Sequence, residues 1–391
     1  MQIRRVPADE RQDFLPLEYA FNRSPLPEDE RTKMWDERRA YVGGNLNLVA
    51  EEDGEIVAEG TSIPMRQNVR GSVYPMAGIA AVAAQPHVRR KGHIRALLTE
   101  LFGQVRDEGH VLTALYPFRA SFYGRFGFVG VPKARTARFS PADLGHLLRA
   151  DLPGTTEWQQ IGTGFPLYRE FLERLLPQRH GFSVFPDFRD AGLRDKNEYW
   201  LLTAKSGDEI IGASMYRITD HGETLKARNM LYTSPLGRAL LLQFYSRHVD
   251  HVAEVEVTVA PDEFPELWST DLAVHVEARV SFPTGGAPMG RVLSVEALQG
   301  MQVGAGRVGI EIVDDEFIAG KYMLDGTSGQ LEVTSGDPTV TLTAAGFSGL
   351  VYGALSPEDI AVRGFGSVPA EAIPELAKLF PRNVPYFFSE F

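Results

Sequence analysis

In the stretch VRRKGHIRALLTELFGQVRDEG the apolar residues Ile94, Leu97, Leu98, Leu101 and Val105 recur three and four apart. That spacing predicts an amphipathic helix with one apolar face for a sheet. Before it, VYPMAGIAAVAAQP reads as a strand broken by Pro86, and after it Gly109 closes the helix ahead of a strand in HVLTALYP. Upstream, two strand-like runs in LNLVAEEDGEIVAEGTSIPM meet at Asp53-Gly54, the signature of a tight hairpin. ADERQDFLPLEYAFN and PEDERTKMWDERRAY carry helical patterns ahead of that hairpin.

The layout recurs in weaker form. WLLTAKSGDEIIGASMYRI is a strand pair around Ser206-Gly207-Asp208, and LKARNMLYTSPLGRALLLQFYSRHVD runs strand, turn, amphipathic helix. Aligned with YPMAGIAAVAAQPHVRRKGHIRALLTELF, it reads as an internal duplication. Beyond VSFPTGGAPMGRV the pattern changes to alternating strands in GIEIVDDEFIAGKYML, GQLEVTS and PTVTLTAAGFSGLVYG, closed by a short helix in PAEAIPELAKLF. The fold class is therefore α/β with mixed α+β sheets, in three domains: 1–145, 146–285 and an α+β domain at 286–391.

Composition narrows the class. At 391 residues, 43% hydrophobic and 23% charged, the chain has the balance of a soluble multidomain protein. It contains no apolar run long enough for a membrane span, and MQIRRVPADERQDF lacks a signal-peptide core, so a cytoplasmic location is expected. Without cysteine it has no disulfides, thiolate metal ligands or cysteine nucleophile. A formal charge of −11 disfavours nucleic-acid phosphates and tilts the expectation toward a cationic amine as partner.

Chemistry concentrates in VAAQPHVRRKGHIR. A strand breaks and a helix begins with Arg89, Arg90, Lys91 and Gly92 in its first turn. Free backbone N–H groups and the helix dipole make such a turn an anion site, and basic residues there oppose the dipole unless an anion compensates them. The alternative is a solvated basic turn. In YPFRASFYGRFGFVG, Tyr123 stands among phenylalanines one strand after the basic loop, where an arbitrary tyrosine reads as a core residue. The last residues, NVPYFFSEF, crowd Tyr386, Phe387, Phe388 and Phe391 around a carboxylate, where chain ends are usually solvated.

The loop at Arg89, Gly92 and Ile94 resembles the RxxGxG/A acetyl-CoA signature of GNAT acyltransferases, with Ile94 in place of the last small residue. Across the chain, the order of GNAT, degenerate GNAT and small α+β domain resembles the Eis family, whose last domain is similar to sterol carrier proteins. The resemblance implies tandem GNAT folds and acetyl-CoA as cosubstrate without a metal. Val82, Ala83 and Ala84 would align pantetheine. Arg90, Lys91, Gly92, His93, Ile94 and Arg95 would hold the pyrophosphate, and Phe118 and Arg119 the cofactor's other side. It also implies Tyr123 as proton donor, the Phe391 carboxylate as proton acceptor, polyamine-like or aminoglycoside acceptors, and a homohexamer. Desolvation by Tyr386, Phe387, Phe388 and the Phe391 ring would raise that carboxyl group from its usual range into that of a useful base. Glu390 and Trp35 are candidate acceptor contacts, and the acidic run Glu28, Asp29, Glu30 suits a helix start.

Other signals fail on context. GAGRVG precedes a strand-like run where a dinucleotide fingerprint needs a helix. His248 and His251 lack a third ligand. Two rival readings are a lipid carrier working through its last domain and a tandem-GNAT transferase using aminoacyl-tRNA, which the negative charge disfavours.

Overall fold

The computed structural model describes residues 1–391 except 8, 9, 11–13, 22 and 23, and the side chain of Asp220. The helical pattern from Ala8 to Asn22 thus lies partly outside the described residues. Its remainder forms α1 (Leu15–Phe21), after the strand β1 (Gln2–Val6). The chain divides into two compact units: residues 1–132, 179–190 and 281–391, and residues 133–178 and 191–280. This differs from the expected division at 145/146 and 285/286. The C-terminal region is not a separate body, because its strand Met289–Val292 inserts antiparallel beside the last strands of the first sheet.

In the first unit, α2 (Glu28–Arg38) follows α1, and β2 (Leu46–Glu52), β3 (Glu55–Val69) and β4 (Ser72–Ala84) form an antiparallel meander. Asp53 and Gly54 both take positive φ in the two-residue β2–β3 turn, as the hairpin signature requires. Helix α3 (His93–Asp107) then crosses over to β5 (Leu112–Leu115), parallel to β4, and α4 (Ala120–Gly124) leads to β6 (Val129–Gly130). Leu97, Leu98, Leu101 and Val105 of α3 are fully buried on Ala58, Ala77 and Ile79, while Ile94 is half-buried at the rim. Gly109, at φ +91°, follows the helix end as expected.

The opposite sheet face, with Ile63, Met65, Val69 and Met76, shares a core with residues 281–391. There a second sheet joins Arg307–Ile312, Gly320–Asp325, Glu332–Thr334, Val340–Leu342 and Gly366–Ser367. The strand expected through PTVTLTAAGFSGLVYG stops at Leu342. Thr343 accepts the Gly346 N–H through Oγ1 at 3.0 Å and starts the helix Ala344–Val351, which is buried all round and therefore shows no helical alternation.

The second unit repeats the order. Its strands run Thr155–Gln160, Trp200–Ser206, Glu209–Thr219 and Thr224–Ala227 antiparallel, and Thr224–Ala227 lies parallel to Glu254–Val259 across the helix Pro235–Ser246. That helix is capped by Ser234, and Arg238 is the single basic residue of its first turn.

Candidate active site

The parallel ladder between β4 and β5 covers only Met76–Ile79 against Leu112–Leu115. Beyond it β5 has ended, and Ala80, Ala83 and Ala84 pair only with β3. Register with β3 also shifts here, and Ala81 takes φ +53°. This is a bulge that bends β4 away and leaves a backbone edge free for another extended chain. Val82, Ala83 and Ala84 lie on that edge.

The edge runs into the basic loop. After the turn Pro86–Val88, Arg90 has φ +65° and Gly92 φ +94°, and α3 starts at His93 with Gly92 as its cap. The basic residues thus precede the helix instead of filling its first turn. Alternating left-handed residues before a helix gather N–H groups into an anion-binding concavity. Arg90, Lys91, Gly92 and Arg95 are exposed around it. Two expected contacts point elsewhere. The His93 ring is buried with Nε2 3.2 Å from Glu52 Oε2, and the half-buried Ile94 packs on the core below α3. Arg89 lies over the Tyr19 ring.

At the carboxyl end of β5, Phe118 and Arg119 are exposed and Tyr123 is 4% exposed among Phe118, Phe122 and Phe128. Burial pushes the Tyr123 phenol well above its usual range, so it carries its proton at any physiological pH.

The tail is strapped to this unit. Tyr116 donates its hydroxyl to Ser389 O at 3.2 Å, Ser389 donates to Ser183 O at 2.9 Å, and the Tyr386 N–H donates to His180 O at 2.9 Å. Tyr386 and Phe388 pack on Phe182, and Phe387 packs on Tyr352, so these three anchor the tail and do not ring its end. The aromatic neighbours of Phe391 are instead Tyr116 and Phe185. Glu390 is exposed. After desolvation, its charge is the next cause of the raised Tyr116 phenol.

Beside the β4 bulge lies a cavity of about 270 Å³, floored by Asn47, Thr61 and Ala80, which pair in one row across β2, β3 and β4. Glu59, 5% exposed, accepts the Leu17 N–H at 2.7 Å and so ties α1 over the floor. Trp35 of α2 lines the wall. The acidic run Glu28, Asp29, Glu30 heads α2 outside this cavity.

Residues 2–130 match the family model for an acetyltransferase (GNAT) domain. Over these residues the chain is similar to a GNAT domain. Over 75 residues the chain is 37% identical to N-acetyltransferase Eis of Mycobacterium tuberculosis (strain ATCC 25177 / H37Ra), a stretch spanning 19% of each protein. Likeness over the whole length is structural. Eis1 from Mycobacterium abscessus superimposes with a TM-score of 0.78 at 19% identity, covering 100% of both chains. A probable N-acyltransferase from Enterococcus faecalis V583 does so with a TM-score of 0.83 at 18% identity, covering 100% of this chain and 99% of the other. At such identities these two establish the fold alone.

Around the basic loop and the cavity the sequence reading missed Tyr116, Phe185, Asn45, Asn47, Arg38 and Arg189. Asn45 and Asn47 had a local signal: two amides two residues apart, one just before β2 and one within it, at the head of an otherwise apolar run. Arg189 had none, since it reaches the cavity from a segment that rejoins this unit late in the chain. Among the described residues no helix is long and apolar enough to cross a membrane, and no cluster of three metal-binding side chains occurs.

Proposed function

We propose that the chain transfers the acetyl group of acetyl-CoA to an amine. The observation that carries this reading is the free Ala80–Ala84 edge of β4 leading directly into the left-handed, basic start of α3. An extended amide-bearing arm matches the first part and a pyrophosphate the second. Val82–Ala84 hold the arm, Arg90, Lys91, Gly92 and Arg95 with the first-turn N–H groups of α3 hold the phosphates, and Phe118 and Arg119 flank the other side. Bound there, acetyl-CoA supplies an activated thioester.

The amine nitrogen attacks the thioester carbonyl directly, with both substrates bound. The C–N bond forms, the C–S bond breaks, and the amine gives up a proton. Tyr123, kept protonated by burial, donates its proton to the departing thiolate. The Phe391 carboxylate accepts the amine proton. Appending residues after Phe391 tests that role, since it keeps every side chain and displaces the carboxylate.

The test of the reading itself is acetyl-CoA-dependent thermal stabilisation together with thiol release in the presence of amines. At a hundredfold excess over Kd the cofactor contributes roughly 2.7 kcal/mol. Absence of both effects overturns the reading. Net charge supports polycationic acceptors such as polyamines and aminoglycosides, which belong in the amine panel. The sequence pattern adds a cytoplasmic location, and family resemblance adds a hexamer, checked by sedimentation, and a sterol-carrier-like fold for residues 286–391, checked by lipid binding.

A further inference from the structure

We propose that the acceptor is a small amine bearing an anionic group, a carboxylate or phosphate, held between Arg38 and Arg189. The proposal rests on the acetyl-transfer reading and deepens it. Among the described residues, the cavity's charged lining is Glu18, Arg31, Arg38 and Arg189. Glu18 is already committed: its Oε2 lies 3.0 Å from Arg31 Nε, and its Oε1 accepts the Leu26 N–H at 3.0 Å. Arg38 and Arg189 make no ion pair among the described residues. Burial lowers the Arg189 pKa, and repulsion from Arg38 is the next cause, ahead of the opposing pull of Asp190. Exposed Arg38 and half-buried Arg189 thus border one small space with their repulsion unrelieved, and an anion between them would relieve it.

A second observation points the same way. Asn45 and Asn47 line the cavity at 9% and 7% exposure. The Thr61 hydroxyl donates to Asn47 Oδ1 at 2.6 Å, which leaves Asn47 Nδ2 buried and unpartnered, and Asn45 Oδ1 is likewise unpartnered. Buried polar atoms are rarely left unmet, so the floor offers one donor and one acceptor to a ligand. An acid accepts the first and an ammonium or amine N–H satisfies the second.

Size and walls complete the class. A cavity of about 270 Å³ lies below the roughly 300 Å³ at which sites for drug-sized ligands begin. Leu17, Phe21, Leu26, Met34, Trp35 and Val42 give it an apolar wall. An amino-acid-like amine with an aliphatic or aromatic substituent fits this lining better than a polycation does, despite the chain's overall negative charge.

The experiment measures thiol release from acetyl-CoA with matched amines: apolar amino acids, their carboxamides, phosphoethanolamine, spermidine and an aminoglycoside. Acids or phosphoethanolamine are expected to exceed the neutral amides by at least about a hundredfold in kcat/KM. Which of the two anions leads identifies its source. The same acids should raise the unfolding temperature without cofactor, and R38M/R189M should abolish that rise while keeping the acetyl-CoA shift. Spermidine, the aminoglycoside or the amides reacting as well as the acids, or no acid reacting, overturns the proposal while acetyl transfer stands on the cofactor shift and other amines. Loss of both cofactor shift and all thiol release removes the underlying reading as well.

Discussion

The ring of Phe391 lies on the bare backbone of Gly78. A Cβ at Gly78 would stand 3.1 Å from two ring carbons of Phe391 and 2.7 Å from the Met65 sulfur. Gly78 is two residues before Ala80 on the same face of β4, so the tail and the cavity share one strand. Met65 can swing aside, but the ring is held by Tyr116 and Phe185 and must shift. Gly78→Ala is therefore expected to lower thiol-release turnover about tenfold or more, with unfolding within a few degrees of wild type. Unchanged turnover would show that the tail takes no part in the reaction.

Tyr123→Phe removes one hydroxyl from an aromatic cluster and leaves the packing with Phe118, Phe122 and Phe128 in place. Turnover should fall about a hundredfold or more, the scale of a lost general acid, while the acetyl-CoA thermal shift persists. A parallel loss of the shift would mark Tyr123 as a binding residue instead. Near-normal turnover would remove it from the reaction.

Local patterns were legible in the sequence. The α3 stripe, the Asp53-Gly54 turn and the repeat's strand–helix–strand order each depend on neighbours within a few residues. The strand expected over residues 343–351 failed because a helix buried on every side has no alternation to display. The cavity was hidden for a different reason: its floor is a row across three strands, and its charges arrive from α1, α2 and Arg189. Overall charge is blind to the cavity for a related reason. A chain of net −11 has two arginines, Arg38 and Arg189, bordering this cavity, and composition does not report where charge sits.

The buried pair Arg291–Asp315, 2.7 Å apart, fixes the inserted strand Met289–Val292 to the C-terminal region. Arg291 is 2% exposed and lies between the rings of Phe102 and Phe317. Arg291→Ala would leave the Asp315 carboxylate buried without its cation and open a space between those rings. A loss of about 3–5 kcal/mol in urea unfolding is expected. Pairing it with Asp315→Asn should recover part of that loss, because the orphaned charge goes with it. Equal losses in the single and double variants would assign the effect to packing alone.

His180 supplies a pH dependence whose direction follows from its two partners. Its Nδ1 accepts the Arg70 N–H at 3.0 Å, and its Nε2–H donates to Tyr352 O at 2.9 Å. Both bonds need the neutral ring, since a second proton on Nδ1 would face another donor. Burial, aided by Arg70 and Arg179 against the pull of Tyr352 O, lowers its pKa to about 4. In the unfolded chain an unperturbed histidine titrates near roughly 6.5. The native advantage is therefore complete above that pH and is lost as pH falls toward about 4, where the unfolded state takes up a proton that the native state refuses. Its full size is about 3 kcal/mol. Urea midpoints measured from pH 7.5 to 4 should fall across this window. In His180→Leu the plateau should drop and the slope flatten, because the titrating group is gone. Since His180 O also holds the Tyr386 N–H, the protection of the Tyr386 amide, as exchange relative to its intrinsic rate at each pH, should fall over the same interval in the wild type. A slope unchanged by the substitution would place the acid sensitivity elsewhere.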